Sequence, residues 1–131
     1  MDCVIKGGKL IISEGVSEIC FQDISDAIGE QSVEEICLPE SLRSIHNDAF
    51  FDMTGIKRIN IPESVREIGS QAFWGLDDLE ELVIPISVQK IGQNAFCNCK
   101  NLTVIVPYTA VDIPSGWHPE FVVNVRAVHY L

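Results

Sequence analysis

The residues of this chain that could do chemistry on their own are its five cysteines and three histidines. Thiolates and imidazoles bind metal ions, and a thiolate is also a nucleophile. Two cysteines form the tripeptide Cys97-Asn98-Cys99. This is Cys-x-Cys and not the Cys-x-x-Cys of a zinc or redox site. The chain has no second closely spaced pair of cysteines that could complete a metal site. His118 and His129 leave a metal site shared with Cys97 open, but the spacing does not favour one.

Other catalytic motifs are missing. The tetrapeptide GGKL (7–10) lacks the spacing and the Ser/Thr of a phosphate-binding loop. The chain contains neither GxSxG nor HExxH. The adjacent carboxylates of Glu80 and Glu81 would need a cleft that separates their pKa values before they could act as general acid and base. We therefore predict a non-enzymatic protein with no catalytic residues, no metal and no cofactor.

Length and charge narrow the class further. The chain has 131 residues, close to one domain, and its net charge is −10. Residues 1–40 hold nine acids and two bases, a net charge of −7. Such a surface attracts basic partners. The sequence lacks the basic stripe that direct binding to nucleic acid or a membrane would require. Five cysteines without a signal peptide or a membrane-spanning segment predict a cytoplasmic chain, or an extracellular one if a signal was removed.

These residues must be positioned by a repeat. Three segments align without a gap: LPESLRSIHNDAFFDMTGIKRIN (38–60), IPESVREIGSQAFWGLDDLEELV (61–83) and IPISVQKIGQNAFCNCKNLTVIV (84–106). A proline and an Ala-Phe pair recur at the same place in each. A turn of about 23 residues cannot bury its own apolar face, so it must stack on its neighbours. The period therefore indicates a solenoid.

The repeat weakens towards both ends of the chain. LIISEGVSEI (10–19) resembles the opening of a coil, DAI (26–28) is a candidate for its Ala-Phe pair, and SVEEICLP (32–39) for its closing strand. FVVNVRAVHYL (121–131) is rich in β formers and predicts one final strand. An uncapped final strand invites edge pairing, so a homodimer through it is possible.

The pattern IPxxVxxIGxxAFxxCxxLxxI resembles the BspA-like class of leucine-rich repeats. The resemblance covers 38–106 strongly, 12–37 weakly and 107–131 poorly. It implies an α/β-type or mostly-β solenoid of about four coils plus terminal caps, with a parallel β-sheet on one face. It also implies a role in adhesion or protein recognition rather than catalysis. We predict a single domain, 1–131, with an N-terminal cap and atypical coil at 1–37 and a C-terminal cap at 107–131.

Each aligned column predicts a ladder, because equivalent residues of stacked coils lie about 4.8 Å apart. The buried ladders are predicted to be Phe50, Phe73 and Phe96; Ile45, Ile68 and Ile91; Ile56, Leu79 and Leu102; and Ile59, Leu82 and Ile105. Cys99 falls in the column of Met53 and Leu76, which favours a buried thiol. His46 replaces the glycines at 69 and 92, which favours a left-handed turn residue there.

The outward strand positions form columns in which charges alternate. These columns are Glu34, Lys57, Glu80 and Thr103; Glu35, Arg58, Glu81 and Val104; and Cys37, Asn60, Val83 and Val106. They predict either a solvated ladder of paired charges or a binding face. Trp74 belongs to the column Phe51, Trp74 and Cys97. The adjacent aromatic rings, if partly exposed, would either form an interaction patch or pack over each other and close an apolar edge.

We predict a protein–protein interaction module that binds through the sheet face, the aromatic edge or both. The predicted partner-binding residues are Glu35, Arg58, Asn60, Glu81, Val83, Val104, Phe51 and Trp74. One alternative is a small acidic inhibitor that occupies the basic, nucleic-acid-binding surface of a partner. Another is a fragment of a cell-surface adhesin. Salt separates the first two, because a charge-driven decoy loses affinity steeply as ionic strength rises.

Overall fold

The computed structural model describes residues 1–131 as a stack of coils made of strands two to four residues long, with one short helix. The strands are β1 (Cys3–Lys6), β2 (Lys9–Ile12), β3 (Glu18–Ile19), β4 (Glu35–Cys37), β5 (Ser44–Ile45), β6 (Arg58–Ile59), β7 (Glu67–Ile68), β8 (Glu81–Val83), β9 (Lys90–Ile91), β10 (Phe96–Cys97), β11 (Thr103–Ile105), β12 (Val122–Val123) and β13 (Ala127–His129). The helix, α1, spans Phe21–Ile28, and it is not long and apolar enough to cross a membrane.

Strand pairing runs along two faces of the stack. The first face holds the sheets β1-β2-β4-β6 and β8-β11-β13, and the second face holds β3-β5-β7-β9. All of these pairs are parallel except β1 with β2. The column Ile19, Ile45, Ile68, Ile91 and Trp117 on the second face marks five successive turns. The predicted solenoid with a parallel sheet is confirmed, and the sheet on the second face adds to the single face that was predicted.

The third side of each coil, here called the turn side, carries the Ala-Phe pairs. Two columns of residues on it have positive φ: Asp48, Gln71 and Asn94, and then Asp52, Gly75, Asn98 and Asn124. Glycine, Asn and Asp tolerate this left-handed conformation best. Between these columns the amides of Asp48, Phe50 and Asp52 donate to carbonyls of the next coil, at Ser70, Ala72 and Trp74. Two further coils repeat the same three bonds in the same direction.

The core is a single cluster of 31 buried residues that runs the length of the stack. Phe73 lies between Phe50 and Phe96 with ring centroids 5.2 Å from each, and all three rings are fully buried. The predicted columns of Ile45, Ile68 and Ile91 and of Ile56, Leu79 and Leu102 are buried as well. These three predicted ladders are therefore confirmed.

The fourth predicted ladder is wrong in its last member. Leu82 pairs in register with Val104, and Ile105 pairs with Val83. Val104 and Val106 are buried, at 0% and 1% exposure, so neither belongs to the outward columns in which they were placed. The turn between Leu102 and β11 is one residue shorter than its counterpart in the coil before. Because side chains alternate along a strand, that one residue exchanges the inward and outward sets.

The explanation predicted for His46 is also wrong. His46 does not have positive φ, and neither do Gly69 and Gly92 above it. A Cβ at Gly69 would lie 2.4 Å from the amide nitrogen of Asn47, and one at Gly92 would lie 2.4 Å from that of Ser70. Close approach of the coils therefore requires these glycines. Below His46 the chain enters α1 at Phe21, and the imidazole has room to reach solvent.

The first and last coils depart from the 23-residue spacing in the same way. Ile19 pairs with Ile45, and Ile91 with Trp117, each over 26 residues. In the first coil α1 replaces the Ala-Phe turn, and its fully buried residue is Ile24, not the predicted residues 26–28. In the last coil Phe121 and Trp117 cover the end of the core.

The two edges of the first face end differently. At the N-terminal end, β1 folds back on β2 through Gly7 and Gly8, whose positive φ values suit a tight hairpin turn. At the C-terminal end, the predicted final strand is two short strands, β12 and β13, on different sides of the coil. Strand β13 pairs only with β11, so its other edge is unpaired. The homodimer suggested for this edge stays a prediction.

Candidate protein-binding surfaces

Charges on the first face pair across neighbouring coils. Glu35 lies between Lys9 and Arg58, and its Oε2 is 3.4 Å from the lysine nitrogen and 3.6 Å from the arginine Nε. Beside them, Lys57 lies 3.5 Å from Glu34. The cations of these pairs are more than half exposed, although the Glu35 side chain is only 20% exposed, so each pair contributes about 0–1 kcal/mol to stability. Their effect is to leave this part of the face close to electrically balanced.

The second face forms a shallow trough of about 680 Å³ that extends over all five turns. Its charged residues also pair, Glu18 with His46 at 3.3 Å and Glu67 with Lys90 at 3.7 Å. The rest of its lining is mostly small or polar, including Ser44, Ser70 and the crowded glycines, together with the isoleucine column. The sequence analysis assigned no surface here. The signal available was the column Glu18, Ser44, Glu67 and Lys90, one residue before the buried isoleucines.

The turn side carries a second, outer stack of rings. Phe51 and Trp74 lie with ring centroids 4.6 Å apart and planes 8° from parallel. Both side chains are partly exposed, whereas Cys97, the next member of their column, is 7% exposed. Phe21, the first residue of α1, is 42% exposed. We call Phe21, Phe51 and Trp74 the aromatic edge.

A groove of about 310 Å³ opens at the aromatic edge, lined by Phe21, Asp48, Phe51 and Gln71. Asp48 and Gln71 are consecutive members of one left-handed column. Their side chains take part in none of the ion pairs of the protein, which all lie on the two sheet faces. Neither side chain makes a hydrogen bond within the protein, whereas Asp23 and Asp26 of α1 both accept one. The groove thus combines two rings with an acceptor and an amide that have no partner.

The profile of the BspA-type leucine-rich repeat region matches residues 15–115 in six copies. The chain belongs to this family. The match covers the three regular coils, most of the first coil and the beginning of the last one. No curated protein sequence matches the chain.

Three solved structures share the fold of this leucine-rich repeat chain. A leucine-rich repeat protein from Bacteroides ovatus is 27% identical, with a TM-score of 0.64 over 77% of the chain and 27% of that protein. The pneumococcal vaccine antigen PcpA is 19% identical, with a TM-score of 0.71 over 92% and 30% of the two chains. A leucine-rich repeat protein from T. pallidum is 20% identical, with a TM-score of 0.67 over 99% and 79%. The chain spans less than a third of the first two proteins.

The leucine-rich repeat coils bring the predicted binding residues to two separate places. Glu35 and Arg58 meet on the first face, and Phe51 and Trp74 meet on the aromatic edge. The predicted rung between Arg58 and Glu81 does not form, because β6 and β8 belong to different sheets. Glu81 is exposed and its register partner is Thr103.

Only one of the three valines that were placed in the outward columns is exposed. Val83 is 50% exposed, but Val104 and Val106 are core residues. Asn60 is exposed directly after β6. Phe21 and Asp48 were not among the predicted binding residues, because Phe21 lies in a helix outside the repeat and Asp48 aligned with uncharged residues.

The cysteines of the turn side are protonated, buried thiols. Burial raises the pKa of the Cys99 thiol to about 11, and burial raises that of Cys97 as well. The Cys99 sulfur donates a hydrogen bond to the Phe73 carbonyl at 2.9 Å. No three His, Cys, Asp or Glu side chains lie together in a group that could hold a metal ion.

Proposed function

We propose that this chain is a non-enzymatic protein–protein interaction module that contacts its partner through the aromatic edge. The observation that carries the proposal is the exposed stack of Phe51 on Trp74. Large aromatic side chains dominate the binding energy of protein interfaces, and few of them are needed. Phe73 and its ladder already fill the core, so the outer stack is not required to close it.

The sheet faces are weaker candidates for the main contact. Their charges form five ion pairs within the protein, and a partner would have to separate or desolvate them. The aromatic edge carries no such pairs. A partner that docks there would bury the apolar rings. It would also supply hydrogen-bonding groups to the side chains of Asp48 and Gln71, which have no such partner within the protein.

Affinity capture with immobilised wild type, Trp74→Ala and a Glu35→Lys/Glu81→Lys double variant tests the proposal. Each captured protein is identified, purified and measured for binding to all three. We expect Trp74→Ala to weaken binding about tenfold or more, which corresponds to the loss of one hot-spot residue. The charge-reversed variant should bind within about threefold of wild type if the faces are peripheral. Equal binding by wild type and Trp74→Ala, with folding confirmed by circular dichroism, would contradict the proposal.

The charge distribution supports a second candidate, an acidic inhibitor of a protein with a basic surface. Residues 1–40 carry nine acids and two bases, and the acids of α1 form no ion pairs. In this case affinity should fall at least tenfold between about 50 and 200 mM salt, since several charge contacts would be screened. A contact dominated by Trp74 and Phe51 should change by less than about threefold over the same range. The salt series therefore separates the two candidates with the same purified partner.

A further inference from the structure

We propose that the groove at the aromatic edge is the receptor site for an arginine side chain of the partner protein. The inference rests on the proposed function and adds the chemistry of the group that is bound. Its starting point is the lining of the groove, which brings a carboxylate, an amide and two aromatic rings to one opening of about 310 Å³.

The carboxylate of Asp48 sets the charge of the bound group. It lines the groove, is partly buried and has no cation from this chain within ion-pair distance. The chain as a whole carries a net charge of −10, so the field at the groove favours a cation. An anionic or purely apolar group would leave this carboxylate desolvated without a partner, which is costly.

The rings set the shape of the bound group. One face of Phe51 is covered by Trp74 at 4.6 Å, and the remaining surface of the Phe51 ring lines the groove with Phe21. Aromatic surfaces attract cations, and a flat guanidinium stacks on a ring while its N–H groups bind a carboxylate in its own plane. Lysine offers the charge without the planar fork, so arginine fits both parts of the lining.

Gln71 completes the assignment. Gln71 lines the same groove, one coil above Asp48, and its side-chain amide forms no hydrogen bond within the protein. The amide oxygen accepts and a guanidinium has five N–H groups to donate, more than one carboxylate can take. The site therefore offers two acceptors from neighbouring coils, spaced by the stack itself.

Nuclear magnetic resonance titration of the 15N-labelled chain tests the assignment with two probes. These are N-acetyl-arginine amide and N-acetyl-citrulline amide, which has nearly the same shape but no charge. We expect the arginine probe to shift the amide signals of Phe21, Phe51 and Gln71 saturably, with a dissociation constant on the order of millimolar. The citrulline probe should bind about tenfold more weakly or not at all. Equal effects of the two probes would overturn the assignment.

Two matched variants locate the charge. Asp48→Asn removes the carboxylate and keeps a residue that tolerates the left-handed backbone. It should lower the affinity for the arginine probe about tenfold. Asp52→Asn makes the same change at a left-handed residue outside the groove, and it should leave binding within about twofold. A loss of equal size in both variants would show a general charge effect and overturn the site.

The outcomes also separate this inference from the proposed function. If Trp74→Ala loses the captured partner while the two probes act alike, the aromatic edge binds the partner but not through arginine. In the opposite case the arginine probe binds, Asp48→Asn lowers its affinity, and the partner binds Trp74→Ala as tightly as wild type. The groove is then an arginine site and the proposed function is wrong.

Discussion

Two ladders of aromatic rings stand side by side on the turn side of this solenoid, and they differ in what surrounds them. Phe50, Phe73 and Phe96 stack at 5.2 Å with no exposed surface. Phe51 and Trp74, one residue further along each coil, stack at 4.6 Å and remain partly open to solvent. The repeat distance imposes stacking on both ladders alike. Burial, not stacking, therefore distinguishes the ladder that fills the core from the ladder that remains open to solvent.

Removing one ring from each ladder tests most directly whether the two ladders contribute differently to stability. Phe73→Ala should lower the free energy of unfolding by about 3–5 kcal/mol, because it leaves a cavity between two coils. Trp74→Ala should lower it by about 1 kcal/mol, since the lost stacking is exposed on one side. Urea denaturation followed by circular dichroism measures both. Losses of equal size would mean that the outer ladder is structural too.

The coil spacing that brings both ladders into contact is tested by glycine substitutions. Gly92→Ala would force a Cβ within 2.4 Å of the Ser70 amide, and it should cost about 1–3 kcal/mol of stability by overpacking. Gly55→Ala is the control, because the nearest atom would lie 3.8 Å from its Cβ. It should change stability by less than about 0.5 kcal/mol. Thermal melts that rank the two variants the other way would contradict the close-stacking explanation.

The paired charges of the first face should contribute less than either ladder. Glu35→Gln keeps the shape of the side chain and removes the charge that faces Lys9 and Arg58. We expect a loss of about 0–1 kcal/mol that shrinks as salt is added. Denaturation at low and high ionic strength measures it. A loss comparable with that of Phe73→Ala would make the face a structural element in its own right.

The smallest expected effect concerns reactivity and not stability. Cys97 ends the outer column and Cys99 lies two residues further, both buried. A thiol reacts as its thiolate, so a raised pKa lowers the reactive fraction at pH 8. Iodoacetamide labelling followed by mass spectrometry should therefore modify Cys3, Cys20 and Cys37 before these two. Early labelling of Cys97 would show that the outer ladder stays open as far as the third regular coil.

The repeat made the fold predictable, because three gapless copies fix which residues share a column before any contact is known. The same alignment failed at Val104, because a gapless match over 84–106 conceals a shift of one residue that shows only at Pro107, 22 residues after Pro85. It also failed at His46, because sequence shows that a glycine is replaced but not whether φ or crowding required it. Phe21 was not predicted to lie beside Phe51, because α1 replaces the Ala-Phe turn of the repeat and its residues cannot be aligned with the columns of the regular coils.

The one-way hydrogen bonds give the turn side a local electrical axis, whereas bonds of the second face, such as Arg66 to Arg43 and Gly69 to Ile45, run the opposite way. In ordinary sheets strand dipoles largely cancel, but here three amides per coil point towards the next coil in three successive coils. Aligned peptide groups add their dipoles, as they do in a helix. The carbonyl, negative end faces α1, where residues 1–40 already carry a net charge of −7. On the turn side this local field favours cations at the end of the stack that holds Phe21 and Asp48.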